Sequence, residues 1–410
     1  MTGTPTELIL GPDGAEVDWH IGYLPPPEKF VEKLKMSAAG TDTVKSLTEA
    51  VAKDPNSAVA VFKLARKYDA RYLRDKALDL YRKFLALDPA GTSGTTEYGK
   101  TTVPNKAFAE FSIAILSIYA VPRSVEPLKA YLKSTAEGPL LRDAWRRLAG
   151  YYIYTGSKED AERFYAEFIA RFPEDAYAYD SWVERIIQDG AKETADKGIE
   201  LIEKIRDLTT YNPDPNELYQ KMAALNMLKG DTDKALESYG DRFVTRQIGL
   251  ATSSLVQFAQ FWTSKNENLP GALKAIELAI KLEPDMAYVL QAAAGVYVKA
   301  GKESQALAVY GPEFARKNWA QAGPLYGYSR FWLGQNLNLG SALEAARRMV
   351  EIEPLGAWFY WDTLAGLEAK AKNFAAAIKA GEKAVEVADD EMKPSMRKKL
   401  EQYKAEAVKK

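Results

Sequence analysis

The sequence predicts an all-α protein built from successive helical hairpins, and two observations support this. From Thr41 onward, apolar residues recur at spacings of three and four, which places them on one face of a helix. In addition, an alanine inside a helical pattern is followed 12 positions later by a proline at four places: Ala77–Pro89, Ala161–Pro173, Ala272–Pro284 and Ala342–Pro354. A helical protein without internal repeats has no reason to reproduce this offset.

The stretch Arg142–Pro173 shows the repeated unit in full. Its pattern residues, in order, are Trp145, Leu148, Ala149, Tyr152, Gly156, Ala161, Tyr165 and Pro173. The small Ala161 lets the two helices approach closely, and Tyr165 fills the space beside it. This spacing resembles the tetratricopeptide repeat, a unit of about 34 residues. The resemblance implies a right-handed α-solenoid in which the first helix of each hairpin lines a concave groove.

Composition excludes several classes of function. The chain has 410 residues, of which 47% are hydrophobic, and a formal net charge of −1. Without a basic excess, nucleic acid is not an expected partner. The absence of cysteine excludes disulfides, thiolate catalysis and cysteine-based zinc sites. No apolar run is long enough to span a bilayer, and the N-terminus lacks the features of a signal peptide. We therefore expect a soluble protein without cofactor, metal or membrane insertion.

Residues 1–40 differ from the rest of the chain. Two short strands flank the turn Gly11–Gly14, and a helix carrying Phe30 and Leu34 follows three prolines. Thr4-Pro5-Thr6 ahead of a strand, with the turn and closing helix, resembles the second half of a thioredoxin-fold domain. In that family the matching proline, here Pro5, is cis and faces the redox site. The half that carries Cys-x-x-Cys is missing, so no redox activity is expected. A hairpin and helix that only cap the array would use the same residues.

Residues 41–410 are expected to form about eight hairpins, several of them degenerate, followed by a capping helix over Pro394–Lys410. The segment Ala90–Pro104 interrupts the series and is interpreted as an exposed loop between hairpins. Within it, Gly94–Thr101 fits the phosphate-loop pattern G-x-x-x-x-G-K-[ST]. That mechanism requires a buried strand before the loop and a helix directly after it. A helical repeat precedes the segment here and Val103-Pro104 follows too soon, so no nucleotide site is expected.

The other candidate sites are weaker. His20 is the only histidine and is expected at the surface or at a strand edge, because one histidine supplies neither a triad nor a metal site. Asp231-Thr232-Asp233 follows Gly230 and is interpreted as a helix-capping turn, because the three side-chain oxygen ligands it offers would not make a calcium loop.

A remote alternative is an (α/α) toroid glycosidase, which would use two carboxylates with stacking aromatics. The 8 Trp and 23 Tyr, together with Asp180-Ser181-Trp182 and Trp361-Asp362, are the reason to consider it. Trp361 and Trp145, however, occupy the packing positions of the repeat. A toroid also gives no reason for the repeated Ala-to-Pro offset.

The resemblance also implies a groove. Positions 2, 5, 9 and 12 of each unit face it in the family, and we applied them, with adjacent aromatics, to the units starting at Ser253, Ala287 and Gly323. The predicted partner-binding residues are Gln257, Phe258, Phe261, Tyr288, Gln291, Tyr328 and Phe331. The carboxylate clamp of chaperone-binding family members is absent at these positions. Aromatic and amide groups suit an extended or helical partner segment. The alternative is that Phe258, Phe261 and Phe331 only pack between units.

The sequence therefore predicts a non-catalytic protein–protein interaction scaffold. The alternative is the substrate-recruiting, C-terminal part of a thioredoxin-like thiol-disulfide protein whose cysteine-containing half is absent. An exposed strand edge in residues 1–40 could also pair with a second copy and give a homodimer. Otherwise this segment must dock on the first repeat helices, because an isolated hairpin is marginally stable. The compartment stays open between the cytoplasm and, with an upstream signal and thioredoxin half, the periplasm.

Overall fold

The computed structural model of the protein describes residues 6–22, 27–119, 122–208, 215–240, 251–390 and 392–408. Pro5, which matches the cis-proline of the thioredoxin fold, lies outside these residues. The chain forms two compact units, Met1–Asn212 and Pro213–Lys410. Both consist mainly of α-helices, and the strands of the described residues belong to two small sheets in the first unit. The prediction of an all-α protein built from helical hairpins is confirmed.

The first unit begins with the predicted β-hairpin and helix. Strands β1 (Thr6–Leu10) and β2 (Glu16–Ile21) pair antiparallel, and helix α1 spans Pro27–Ala38. The tight turn between the strands requires Gly14 at a φ of +76°, which is unfavourable for residues with a Cβ atom. Asp13 accepts the backbone N–H of Ala15 at 3.0 Å, which fixes the turn.

This hairpin docks on the first repeat helices. Nζ of Lys67 donates to Oδ2 of the buried Asp18 at 2.7 Å, and Nη1 of Arg71 donates to Oε1 of Glu16 at 2.6 Å. The Arg71 guanidinium also lies 4.6 Å from the ring centroid of Trp19. The sequence allowed this segment either to dock on the first repeat helices or to pair with a second copy. The structure contains the first arrangement, docking within the chain.

The helical hairpins of the first unit follow, and successive helices pack on one another. The helices are α2 (Val44–Lys53), α3 (Ala58–Ala70), α4 (Arg74–Leu87), α5 (Asn105–Leu116), α6 (Glu126–Ser134), α7 (Leu141–Tyr154), α8 (Lys158–Arg171), α9 (Ala176–Asp189) and α10 (Ala195–Asp207). The template hairpin α7–α8 is built as its sequence predicts. Ser157 caps α8 by accepting the N–H of Asp160 at 3.1 Å. Ala161 is buried, and the hydroxyl of Tyr165 donates to the carbonyl of Ala149 at 2.8 Å.

The segment Ala90–Pro104 lies between two helical hairpins and is largely exposed, as predicted, but it is not an irregular loop. It contains a second antiparallel hairpin, β3 (Thr95–Tyr98) and β4 (Thr101–Pro104), with Gly99 and Lys100 between the strands. Val103 is buried against the first unit. The entry to the hairpin is fixed by Asp88, which accepts the backbone N–H groups of Thr92 and Ser93, both at 2.9 Å. The packing of Tyr98 and Val103 on the helices explains why this Thr-rich segment is ordered.

The second unit consists of helices throughout its described residues. They are α11 (Pro215–Lys229), α12 (Thr232–Tyr239), α13 (Thr252–Lys265), α14 (Leu269–Leu282), α15 (Ala287–Lys299), α16 (Glu303–Tyr310), the short α17 (Pro312–Lys317), α18 (Ala322–Gln335), α19 (Leu339–Ile352), α20 (Trp358–Lys370), α21 (Phe374–Val387) and α22 (Lys393–Val408). α22 packs on α21 and occupies the predicted capping position. Over the described residues of both units we count nine hairpins, α3–α4 through α20–α21, against about eight predicted.

Two stretches of the second unit repeat one another closely. Trp262 donates its indole N–H to the carbonyl of Tyr239 at 2.7 Å, and Trp332 donates to the carbonyl of Tyr310 at 2.8 Å. In both stretches two asparagines with positive φ enclose the turn that follows the tryptophan helix: Asn266 and Asn268, Asn336 and Asn338. The second unit therefore contains a duplicated module larger than one hairpin.

Candidate functional site

The first helices of three consecutive hairpins in the second unit line an open groove. The groove has a cavity volume of about 570 Å³ and receives side chains from α13, α15 and α18. Its polar groups are mainly amides and hydroxyls: Gln260, Thr263, Ser264, Gln291 and Gln335. Lys299 is the ionisable side chain among its lining residues. We call this surface the amide groove.

Two of the predicted partner-binding residues lie in the amide groove. Gln291 on α15 and Phe331 on α18 both line it, and Gly295 between them leaves the floor open. A Cβ atom at Gly295 would lie 3.8 Å from Cε2 of Phe331, an ordinary van der Waals distance, so the glycine leaves the space beside this ring unfilled. Tyr288 is 43% exposed on α15 but does not line the groove. Gln257 is exposed and accepts a hydrogen bond from Asn216 at 2.5 Å.

The other three predicted residues are buried in aromatic clusters. Phe258 and Phe261 have ring centroids 5.0 and 5.4 Å from that of Tyr239. The ring centroid of Tyr328 lies 5.5 Å from that of Tyr310, and Tyr328 is fully buried. On α13 the neighbouring hairpin covers the aromatic face, so Gln260 lines the groove together with Ser264, which is position 12 of the unit starting at Ser253. The polar stripe of α13 could have indicated Gln260, since the aromatic stripe of this helix faces the core.

The first unit has a second lined surface that the sequence analysis did not identify. A cavity of about 540 Å³ lies among α3, α5, α7 and α9, and Tyr98 of the β3–β4 hairpin forms part of its wall. An adjoining cavity of about 660 Å³ shares Arg146, Arg147 and Tyr177 with it. We call the first of these the Asp69 cavity. The residues that line this cavity come from helices far apart in the chain, so local sequence patterns do not predict it.

The Asp69 cavity has unusual electrostatics. Burial raises the pKa of Asp69, against the lowering effects of a hydrogen bond from Tyr81 and of Arg66 and Arg74 nearby. Burial also raises the pKa of Tyr98 far above its ordinary value, and so does its hydrogen bond to Asp143. A partly buried carboxylate with a raised pKa is a frequent mark of a binding or reactive site.

His20 lies on β2, an edge strand of a two-stranded sheet, which agrees with the strand-edge alternative of the prediction, but it is not at the surface. It is 8% exposed, because α1 covers the hairpin, and its Nε2 lies 3.2 Å from Oγ of Ser37. Burial lowers the pKa of His20, opposed by the charge of Asp18. Ser37 donates its hydroxyl proton to Oδ2 of Asp18 at 3.1 Å. The histidine therefore does not lie between acid and hydroxyl as a nucleophilic triad requires.

The remaining candidate residues from the sequence lie in a helix cap, in an exposed turn or in packing contacts. Asp231 caps α12 by accepting the N–H of Lys234 at 3.1 Å, which confirms the capping turn. Lys100 of the phosphate-loop pattern lies exposed between two strands. Trp182 stacks on Tyr165 with centroids 5.9 Å apart, and Trp361 packs on the cluster around Met396. Within the described ranges, no three His, Asp or Glu side chains come close enough to hold a metal ion. None of the helices described has the length and apolarity needed to cross a membrane.

Comparison with known proteins gives distant likenesses to solved structures. No family model matches the chain, and no curated protein matches it. A crystal structure of MamA protein is 15% identical, with 44% of this chain and 94% of that chain covered and a TM-score of 0.30. The Cut9–Hcn1 hetero-tetramer of APC/C is 12% identical over 84% of this chain and 76% of that chain, with a TM-score of 0.30. A tetratricopeptide repeat protein from Parabacteroides merdae ATCC 43184 is 11% identical over 64% of this chain and 98% of that chain, with a TM-score of 0.35.

Proposed function

We propose that the protein is a non-catalytic interaction scaffold of the tetratricopeptide type, which binds an extended segment of a partner protein along the first helices of its hairpins. The observation that carries this proposal is the amide groove, where three consecutive first helices contribute to one open surface. A scaffold of stacked hairpins gives such a surface its rigidity, because each helix is fixed by its neighbours.

The chemistry of the amide groove suits a polypeptide. Gln260 and Gln291 each offer a donor and an acceptor, which match the backbone groups of an extended chain. Phe331 offers an apolar contact, and Gly295 leaves room for a partner side chain beside it. The hydroxyls of Thr263 and Ser264 donate to the backbone carbonyls of Ala259 and Phe261 and not to a basic side chain, so the lining favours binding over a chemical reaction.

The test is a variant that fills the groove. Gly295→Arg would place a long side chain in it without backbone strain, since Gly295 lies within α15 and has no positive φ. Gly340→Arg is the matched control, because a Cβ atom at Gly340 in α19 has no neighbour within 4 Å. We expect affinity capture followed by mass spectrometry to recover the same partners with wild type and Gly340→Arg, and to lose them with Gly295→Arg. Identical partner sets for all three proteins would contradict the proposal.

A further inference from the structure

The β3–β4 hairpin lies on the first helices of the first unit. The Asp69 cavity is lined by α3, α5, α7 and α9, which are the first helices of successive hairpins, and by Tyr98 of β3. Residues 93–96, at the start of the hairpin, line another cavity of about 390 Å³ together with Phe62 of α3. The hairpin therefore forms part of the walls of two cavities that are open to the same helix, α3.

Tyr98 is the main contact between the hairpin and these helices. Its ring centroid lies 6.1 and 5.9 Å from those of Phe108 and Phe111 on α5. Its hydroxyl donates to the carboxylate of Asp143 on α7. One side chain thus combines an apolar contact with a hydrogen bond to a charged acceptor. We call the surface formed by Arg66, Phe108, Phe111 and Asp143 the covered groove.

The base of the hairpin is fixed independently of Tyr98. Asn105 donates its backbone N–H to the carbonyl of Gly94 at 3.0 Å, and Val103, two residues before Asn105, is buried. Farther out, Arg66 of α3 donates to the hydroxyl of Thr96. The strands have four residues each, and most of their side chains are exposed. A hairpin this short has little stability of its own, so its tip can leave the covered groove while its base stays in place.

The second unit has the same kind of surface without such an occupant. Its amide groove is also formed by the first helices of successive hairpins, α13, α15 and α18, and no strand lies on it among the residues described in that unit. In the first unit, the hairpin places an aromatic side chain on the corresponding surface. Extended segments bind to protein surfaces through side-chain anchors of this kind. The covered groove thus holds a segment of its own chain where the amide groove is open.

We propose that the covered groove is a binding surface for an extended partner segment with an aromatic anchor, and that the β3–β4 hairpin occupies it as an intramolecular ligand. This inference rests on the proposed scaffold function, because it concerns the same kind of surface, but it places a binding surface in the other unit. A partner segment binds there only while the hairpin is released. Its apparent affinity is therefore lowered in proportion to the fraction of molecules in which the hairpin is released.

The experiment offers the hairpin as a separate peptide to the full-length protein. The probe is a synthetic peptide of residues 93–105 with blocked ends. The receptor is a shortened variant in which Gly-Ser-Gly-Ser replaces residues 95–102, and this short linker closes the chain because Thr95 lies opposite Pro104. Ligand-observed NMR titration measures the dissociation constants for the shortened variant, wild type and Lys100→Ala. Lys100→Ala is the matched control, because it changes an exposed residue of the same hairpin.

We expect the peptide to bind the shortened variant at least tenfold more tightly than wild type or Lys100→Ala, because the tethered hairpin competes with it in the latter two. Asp143→Asn in the shortened variant should weaken binding at least threefold, since the hydroxyl of Tyr98 loses its charged acceptor. The peptide with Tyr98→Ser should bind at least tenfold more weakly than the unchanged peptide. Equal binding to wild type and to a folded shortened variant, or no binding to either, would overturn the proposal.

If circular dichroism shows that the shortened variant does not fold, Tyr98→Ala in the full-length chain decides in its place. This substitution removes the anchor of the tethered hairpin and leaves the length of the chain unchanged. The peptide should bind Tyr98→Ala at least threefold more tightly than wild type, and equal dissociation constants would overturn the proposal. Loss of partner capture in Gly295→Arg bears only on the amide groove, so the two proposals fail separately.

Discussion

Lys67 on α3 donates to the carboxylate of Asp18 on β2 at 2.7 Å, in a site where Asp18 is 1% exposed. The same carboxylate accepts Ser37 of α1 and lies 3.5 Å from Nη2 of Arg71. One acid thus joins a β-hairpin, its closing helix and the first complete repeat.

Asp18→Ala should therefore destabilise the first unit. Removing one member of a buried ion pair leaves the other without its partner, at a cost of about 3 kcal/mol. Hydrogen exchange of the β1 and β2 amides together with urea denaturation measures the effect. Asp79→Ala, which removes an exposed acid on α4, should change stability by less than about 0.5 kcal/mol. Unaltered exchange protection of the hairpin in Asp18→Ala would show that the ion pair does not hold it.

Trp332→Phe should cost more stability than Trp145→Phe. The indole of Trp332 satisfies the carbonyl of Tyr310, whereas Nε1 of Trp145 has no hydrogen-bond partner although it is buried. Both substitutions remove the same atoms. Trp332→Phe also leaves a buried acceptor without its hydrogen bond, which adds about 1 kcal/mol or more to the loss of stability. Chemical denaturation of both variants measures the difference. A larger loss for Trp145→Phe would contradict this explanation.

Ala161→Leu should destabilise the template hairpin by about 1–3 kcal/mol, because extra methyl groups do not fit a close contact between two helices. Gln291→Ala changes a partly exposed residue of the amide groove and should have a small effect. Thermal unfolding of the two variants compares a packing position with a groove position. Equal shifts of the two melting temperatures would show that the assignment of repeat positions is wrong.

The template hairpin could be predicted because its determinants are local. Trp145, Ala161 and Tyr165 lie within one repeat, and their spacing specifies both helices and their contact. The burial of Phe258 could not be predicted in the same way. Its position is decided by Tyr239 on α12, in the preceding hairpin. The rotation of a helix about its own axis, relative to its neighbours, depends on such long-range packing. This rotation decides which of its residues face a groove.

Substitution of Tyr98 in the β3–β4 hairpin should lower the stability of the protein, whereas substitution of Lys100 should not. Tyr98→Phe removes the hydrogen bond to Asp143 and should cost about 1 kcal/mol. Lys100→Ala changes an exposed turn residue and should stay within about 0.5 kcal/mol of wild type. Urea denaturation checks both values.

Calorimetric titration of wild type with magnesium-ATP should show no binding heat, and micromolar binding that is lost in Lys100→Ala would instead support a phosphate loop.

Asp69→Asn should be more stable than wild type at pH 7. The raised pKa of Asp69 means that its carboxylate ionises less readily in the folded than in the unfolded chain. The folded protein therefore loses stability as pH rises from the ordinary aspartate range, about pH 4, through the raised pKa. Asparagine does not ionise and keeps an oxygen for Tyr81. Urea midpoints of both proteins at pH 7 and at about pH 4 should show the gain at pH 7 only, and a gain of equal size at both values would contradict the charge-based explanation.

The duplicated module of the second unit has a consequence for how the length of this chain can change. Tyr239 with Trp262 and Tyr310 with Trp332 place the same junction at both ends of the intervening α14–α16 segment. Unequal recombination between the two copies would fuse the start of one junction to the end of the other. The product would lose or gain a whole module in frame, with the tryptophan-to-carbonyl contact and its aromatic neighbours kept intact at the fusion point. Such an exchange would change the number of groove-lining helices in one genetic step, without first repairing a damaged core.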